Sequence, residues 1–117
     1  MDLDELLRTS DFVCICCALT PKTRHLLDAS KLSLMKEESF LINVARGPIV
    51  DQRALTEVLR EHKIRGAGLD VFEEEPVDPD DPLLTLDNTI VSPHCLCITD
   101  QCSHDIGQNA ISSALAV

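Results

Sequence analysis

The chain has 117 residues, enough for one compact domain that buries roughly two thirds of its unfolded surface. Its 10 basic and 20 acidic residues give a formal net charge of -10, which repels phosphate backbones and anionic lipids, so neither nucleic acid nor a membrane is expected as a partner. No apolar run is long enough to span a membrane, and the acidic N-terminus MDLDELLRTS lacks the basic start of a signal peptide. We therefore expect a soluble, cytoplasmic protein.

The first predicted element is the apolar run FVCICCAL, residues 12–19, which Thr20 and Pro21 interrupt. A continuous apolar run is typical of a strand that is buried on both faces. The run contains Cys14, Cys16 and Cys17. Without a secretory signal, these cysteines are expected to be reduced thiols that pack as small hydrophobes and form no disulfide framework.

Helices and strands alternate along the rest of the chain. The pattern predicts, in chain order, a helix capped by Asp28 that runs to Met35, a strand over 40–44, a helix over 52–62 capped by Asp51, a strand over 64–72, a strand over 89–92 and a helix from about Thr99. In the last helix, apolar residues recur every four positions, at Cys102, Ile106, Ala110 and Ala114. This alternation predicts an α/β fold with a parallel sheet and right-handed crossovers.

Three residues suited to chemistry follow three of the predicted strands. Arg46 follows the second strand, Glu75 the third and His94 the fourth. Ligands of such sheets bind beyond the carboxyl ends of the strands, where these side chains would meet. A guanidinium binds a carboxylate through two hydrogen bonds, and an imidazole beside a carboxylate transfers protons near neutral pH. Together they suit the interconversion of a 2-oxo acid and a 2-hydroxy acid, for which a cofactor supplies the hydride.

Four motifs in this order, LTPKTRHLLD, FLINVARGPIVD, GAGLDVFEEEP and TIVSPH, resemble the D-isomer-specific 2-hydroxyacid dehydrogenases. The resemblance implies a Rossmann-like dinucleotide-binding domain of which residues 1–117 are a part, the nicotinamide-side half, with the substrate domain absent. It also implies an NAD(P)-dependent oxidoreductase that interconverts a small 2-oxo acid and a D-2-hydroxy acid, and a homodimer in the full-length form.

The resemblance also implies residue roles. Arg46 corresponds to the arginine that binds the substrate carboxylate and polarises the carbonyl, Glu75 to the carboxylate that orients the histidine and favours its protonated form, and His94 to the acid/base. Asp70 corresponds to the aspartate that holds the nicotinamide carboxamide. Further cofactor contacts are implied at Leu19, Thr20, Val44 and Ala45, with Arg46 and His94 beside them.

The chain departs from the family pattern in ways that leave its cofactor and activity open. The sequence CLC replaces the small residues usual after the P-H motif, and Ala18 stands where proline is frequent. The sequence contains no G-x-G-x-x-G turn, and GAGLDV lies inside a predicted strand, so NAD and NADP both remain candidates. The alternatives to a dehydrogenase are a non-enzymatic relative similar to the C-terminal-binding-protein corepressors and a truncated product without activity.

The segment VSPHCLCITDQCSH, residues 91–104, also suggests zinc, because its two histidines and three cysteines could supply four ligands. His94 suits proton transfer, however, and Cys95 and Cys97 lack the two-residue gap of a zinc knuckle. We therefore expect no metal site, and a redox-sensitive thiol beside the cofactor remains an alternative. Two remaining groups are expected at the surface without a role in catalysis: Glu73 and Glu74, and His25, His62 and His104.

Overall fold

The computed structural model describes residues 1–116. Its strands are β1 Phe12–Ile15, β2 Phe40–Asn43, β3 Gly66–Leu69 and β4 Thr89–Val91. They form one sheet in the order β1-β2-β3-β4, and every neighbouring pair is parallel. The predicted α/β class and parallel sheet are confirmed, although each strand is shorter than the apolar run that predicts it.

Within residues 1–116, four α-helices accompany the sheet: α1 Leu3–Thr9, α2 Ala29–Leu32, α3 Gln52–Arg60 and α4 Asp100–Leu115. Short 3₁₀ helices occupy Gly47–Ile49 and Pro82–Thr85. The predicted caps at Asp28 and Asp51 are confirmed, because each side chain accepts a backbone N–H from the first turn of the helix that follows. Thr99 caps α4 in the same way. Helix α2 ends at Leu32, before the predicted end at Met35, where turns take over.

Helix α1 is absent from the sequence-based prediction. Asp2 caps it, because the side chain of Asp2 accepts the backbone N–H of Glu5 at 2.8 Å. Aspartate followed three residues later by glutamate is a helix-start pattern, so the signal stands in the sequence.

The apolar core lies between one face of the sheet and helices α1, α2 and α3. In β1, Val13 and Ile15 are buried while Phe12 and Cys14 are exposed. The core draws on these three helices and on strands β1, β2 and β3, with Leu7, Leu32, Leu41, Leu55, Leu59, Ile64 and Leu69 among its members. Because the helices with buried side chains all contribute to this one core, they cover only one face of the sheet.

The prediction that β1 is buried on both faces is therefore wrong. The parallel register places Phe12, Phe40 and Gly66 side by side on the second face, and Phe12 stacks on Phe40 with ring centroids 5.3 Å apart. Ile90 of β4 lies on that face too and is 79% exposed. Cys14, Cys16 and Cys17 are all exposed, contrary to the expectation of buried thiols.

Helix α4 has the predicted start, but its apolar face has no partner among residues 1–116. No side chain of this helix is buried, and Ile106 is 61% exposed. The helix follows β4 and the loop that carries His94.

Candidate functional site

Glu75 and His94 meet at the carboxyl edge of the sheet, as the topology predicts. The Nδ1 atom of His94 lies 2.7 Å from Oε2 of Glu75. The other carboxylate oxygen of Glu75 accepts the backbone N–H of Phe72 at 2.9 Å. Both side chains remain partly open to solvent, at 41% and 37% exposure, so a small molecule could reach the imidazole.

The surroundings of Glu75 favour its ionised form. The hydrogen bond from His94 lowers the pKa of the Glu75 carboxyl below its usual value, and the Phe72 N–H, the charge of His94 and the charge of Arg46 lower it further. Burial opposes this shift and is outweighed. The site therefore holds a carboxylate against an imidazole, with a guanidinium close enough to act on the carboxylate.

Hydrogen bonds to the side chain of Asp70 hold the loop that contains His94. The Asp70 carboxylate accepts the Ser92 hydroxyl at 2.6 Å and the backbone N–H groups of Cys95 and Leu96 at 2.9 and 3.2 Å. His94 itself has a φ of 53°, in the left-handed region that side chains other than glycine seldom adopt. Such a conformation persists only where the surroundings enforce it, and the three hydrogen bonds to Asp70 do so.

Asp70 is almost fully buried yet stays ionised. Burial raises the pKa of its carboxyl, but the hydrogen bonds from Ser92, Cys95 and Leu96 together outweigh burial, so the net shift is downward. An ionised carboxylate can accept about four hydrogen bonds, so three protein donors leave room for one more. Asp70 is therefore an anchor of the His94 loop that retains some capacity toward a ligand.

Arg46 is placed by a turn that the buried side chain of Asn43 organises. The Asn43 amide donates to the carbonyl of Arg46, and its oxygen accepts the N–H of Ala45, both at 3.1 Å. The Arg46 side chain is exposed, and its Nη1 donates to the Ala45 carbonyl at 2.6 Å. Sequence reasoning gives no role to Asn43, although a polar residue that ends an apolar strand is the available signal.

Gly47 lets the Arg46 loop approach the loop that leads to Glu75. A Cβ atom at Gly47 would lie 1.8 Å from the carbonyl oxygen of Phe72 and 2.5 Å from the N atom of Glu73. No side chain fits in that space, so the glycine is required for this contact. The contact explains how Arg46 comes near Glu75.

Glu73 and His25, expected to be surface residues, form a link between loops instead. Nε2 of His25 lies 2.5 Å from Oε1 of Glu73. Glu73 also accepts the N–H of Gln52 at 3.2 Å and donates its own N–H to the Gln52 side chain at 2.8 Å. Because the backbone N–H of His25 donates to Pro48, this group joins the Leu19–Thr20 loop, the Arg46 loop and the Glu75 loop.

A cleft of about 460 Å³ opens at the carboxyl ends of β1 and β2, lined by Cys16, Cys17, Ala18, Leu19, Ala45 and Arg46. It brings together three of the predicted cofactor residues, Leu19, Ala45 and Arg46. Thr20 and Val44 are exposed beside it, outside the lining. A groove of about 430 Å³ between α3 and the acidic loop contains none of the predicted site residues.

Within residues 1–116, no three His, Cys, Asp or Glu side chains are grouped so that they could hold a metal ion. Among the helices of those residues, none is both long enough and apolar enough to cross a bilayer.

Comparison with known proteins finds a matching family and curated relatives. The family model for the D-isomer specific 2-hydroxyacid dehydrogenase NAD binding domain matches residues 1–95. The chain is 44% identical to the glyoxylate/hydroxypyruvate reductase B of Enterobacter agglomerans over 98% of its own length and 36% of that protein. The chain thus spans about a third of this curated relative.

Solved structures give the same result. The chain is similar to the D-lactate dehydrogenase of Aquifex aeolicus complexed with NAD and lactic acid, at 34% identity and a TM-score of 0.90, over 99% of this chain and 39% of that one. It is also similar to a D-isomer specific 2-hydroxyacid dehydrogenase from Xanthobacter autotrophicus in complex with NADPH and MES. That match has 44% identity and a TM-score of 0.76, and covers 79% of this chain and 30% of the other.

Proposed function

Because the chain belongs to the D-isomer-specific 2-hydroxyacid dehydrogenase family, we propose that it forms the nicotinamide side of an NAD(P)-dependent enzyme that reduces a small 2-oxo acid to a D-2-hydroxy acid. The observation that carries this proposal is the 2.7 Å contact between His94 and Glu75, with the charge of Arg46 acting on the same carboxylate. These groups are the acid/base, its orienting carboxylate and a substrate clamp.

When bound, a dinucleotide would supply the hydride for this reduction. Protonated His94 donates its proton to the carbonyl oxygen, and Glu75 holds the Nδ1 side of the ring so that the opposite nitrogen faces the substrate. Arg46 binds the substrate carboxylate through its free guanidinium nitrogens and draws electron density from the carbonyl. The product 2-hydroxy acid leaves His94 neutral, and solvent reprotonates it.

The residues at the cleft fit one side of a dinucleotide. Its volume of about 460 Å³ lies in the usual range of small-molecule sites, roughly 300–1,000 Å³. Leu19, Ala45 and Arg46 line it, Thr20 and Val44 border it, and Asp70 has capacity for one further hydrogen bond, which suits the nicotinamide carboxamide. NAD and NADP both fit this half of the site, since it contains none of the residues that would read the ribose.

Two further features belong to the proposal. A homodimer of the full-length form is consistent with the exposed face of α4, whose Ile106 and Ile111 lack a partner within residues 1–116. A cytoplasmic location is supported by six free cysteines, which suit a reducing compartment.

A hybrid enzyme tests the catalytic roles. In it, residues 1–116 replace the matching segment of the Enterobacter agglomerans reductase, which supplies the rest of the cofactor domain and the substrate domain. We expect NADH- or NADPH-dependent reduction of glyoxylate or hydroxypyruvate, and a loss of roughly 100-fold or more in kcat for His94→Ala. His104→Ala, in α4, is the matched control and should keep the activity. A folded hybrid without turnover, or with equal turnover in His94→Ala, contradicts the proposal.

The chain by itself should bind the dinucleotide weakly. Backbone N–H groups at a helix N-terminus supply much of the anchoring of a pyrophosphate, and this sequence has no G-x-G-x-x-G turn. Titration with NADH, followed by NMR, should therefore give millimolar binding, with shifts concentrated at Leu19, Ala45 and Asp70. Micromolar binding would contradict this reasoning, and shifts confined to other regions would contradict the position of the cofactor.

A further inference from the structure

The cleft at the ends of β1 and β2 contains two adjacent thiols that the dehydrogenase reaction does not use. Cys16 and Cys17 are both free, both exposed and both part of the cleft lining. Cys14 is exposed as well, but it lies on the open face of the sheet and outside that lining. The chain therefore offers two thiols in the Arg46 cleft and a third exposed thiol outside it, which separates the effect of this cleft from that of mere exposure.

Arg46 gives this concave site a preference for anions. Arg46 lines the same cleft as Cys16 and Cys17, and the Ala45 carbonyl accepts only one of the guanidinium N–H groups. The remaining N–H groups can form two parallel hydrogen bonds to a carboxylate. In a chain of net charge -10, such a localised positive site next to two sulfur atoms distinguishes this cleft from the surrounding surface.

We propose that Cys16 and Cys17 form a thiol–disulfide exchange site for small disulfides that carry carboxylates, with Arg46 as the group that binds the carboxylate. One cysteine sulfur attacks a sulfur of the disulfide, a bond forms between protein and ligand sulfur, and the ligand S–S bond breaks. One half of the ligand stays on the protein as a mixed disulfide. The other half leaves as a thiol, which takes up the proton that the cysteine loses.

The exchange has a consequence for the cofactor, and this consequence rests on the proposed function. Leu19, Ala45 and Arg46 belong both to this cleft and to the predicted dinucleotide contacts. A mixed disulfide at Cys16 or Cys17 fills the space beside them, so bound dinucleotide and bound disulfide exclude each other. Oxidation would thus switch off cofactor binding, and an added thiol would restore it.

The experiment compares two disulfides on the purified chain at neutral pH. One is oxidised glutathione, which carries carboxylates, and the other is bis(2-hydroxyethyl) disulfide, which is uncharged. Intact mass gives the extent of exchange with time, and fragmentation of the peptides assigns it to Cys14, Cys16 or Cys17. The variants are Arg46→Gln and, as a matched control with the same charge change outside the cleft, Arg53→Gln. Circular dichroism verifies that each variant is folded.

We expect oxidised glutathione to react at Cys16 or Cys17 faster than at Cys14 by up to about five-fold, the upper end of what one partly exposed ion pair provides. Arg46→Gln should remove that advantage, whereas Arg53→Gln should not. With the uncharged disulfide, the exchange rate of both variants should stay within roughly two-fold of the wild-type rate. Equal rates at the three cysteines, or an advantage that persists in Arg46→Gln, would overturn the proposal.

The same exchange reaction in millimolar NADH tests separately whether the dinucleotide and the disulfide compete for the cleft. Slower exchange at Cys16 and Cys17, with no change at Cys14, supports competition with the dinucleotide. Unchanged exchange in the presence of NADH contradicts the proposed position of the cofactor, while the Arg46 dependence still decides the thiol site.

Discussion

Replacement of Gly47 by alanine tests how closely the loops of the candidate site must approach. The new Cβ atom would lie 1.8 Å from the carbonyl oxygen of Phe72, about 1.5 Å closer than a usual carbon–oxygen contact of about 3.3 Å. The three nearest atoms, O and C of Phe72 and N of Glu73, all belong to the backbone, so no flexible side chain can move aside. The two loops must separate, and we expect the free energy of unfolding to fall by about 3 kcal/mol, the upper end of the usual overpacking cost.

Urea unfolding followed by circular dichroism at 222 nm measures this change, since the chain has no Trp or Tyr to serve as a fluorescent probe. Gly107→Ala is the matched control, because no atom lies within 4 Å of the Cβ that it adds in α4. This control should leave stability unchanged or raise it by up to about 1 kcal/mol. A loss below about 0.5 kcal/mol in Gly47→Ala would refute the close contact, because surface substitutions alone reach that size.

Three further predictions address the loop link, the substrate clamp and the metal question. Glu73→Ala should lower the free energy of unfolding by about 1–2 kcal/mol, because it removes the hydrogen-bond partner of His25 and of the Gln52 N–H. In the same urea assay, the control Glu74→Ala, at an exposed neighbour, should change the free energy of unfolding by no more than about 0.5 kcal/mol. In the hybrid enzyme, Arg46→Lys should mainly raise KM for the 2-oxo acid and also slow turnover in steady-state kinetics, because a point charge replaces a two-pronged donor. Protein purified without chelator should contain no stoichiometric zinc by elemental analysis, and one zinc per chain after dialysis would contradict that expectation.

The parallel sheet and the meeting of Glu75 with His94 follow from local patterns. Alternation of strands and helices fixes the direction of the strands, and the carboxyl ends of parallel strands share an edge. Arg46, Glu75 and His94 each follow a strand, so their proximity requires no knowledge of side-chain packing. The helix caps at Asp28, Asp51 and Thr99 are equally local, because each depends on residues within one turn.

The features that the sequence did not predict depend on distant partners. His25 and Glu73 are 48 residues apart, and nothing near either residue indicates the other. Exposure of Cys14 and Phe12 depends on whether a helix covers the second face of the sheet, which the apolar run itself does not encode. The role of Asp70 as an anchor likewise arises from Ser92, Cys95 and Leu96, which reach it only after the sheet has formed.

The ionisation of Glu75 gives a prediction with a definite sign. The hydrogen bond from His94, followed by that from the Phe72 N–H, lowers the pKa of Glu75 in the folded chain below its usual value of 4.5. A group whose pKa is lower when folded stabilises the protein above its unfolded pKa, and this contribution is lost as the pH falls through the folded pKa. Wild type should therefore be more stable than Glu75→Gln at pH 7, and the difference should shrink below about pH 4.5.

Glu75→Gln keeps an oxygen that can accept the Phe72 N–H, so the difference between the two proteins isolates the charge. Urea unfolding at several pH values between 7 and 3 measures it, and Glu74→Gln, one residue away and exposed, corrects for the general titration of an acidic chain. Carbon-13 NMR of the carboxyl groups gives the Glu75 midpoint directly, and we expect it below 4.5. In Gly47→Ala the loops move apart and the charge of Arg46 acts on Glu75 from farther away, so that midpoint should rise. A Glu75 midpoint at or above 4.5 in the wild type would contradict the interaction between Glu75 and His94. A stability difference that is equal at pH 7 and pH 3 would contradict it as well.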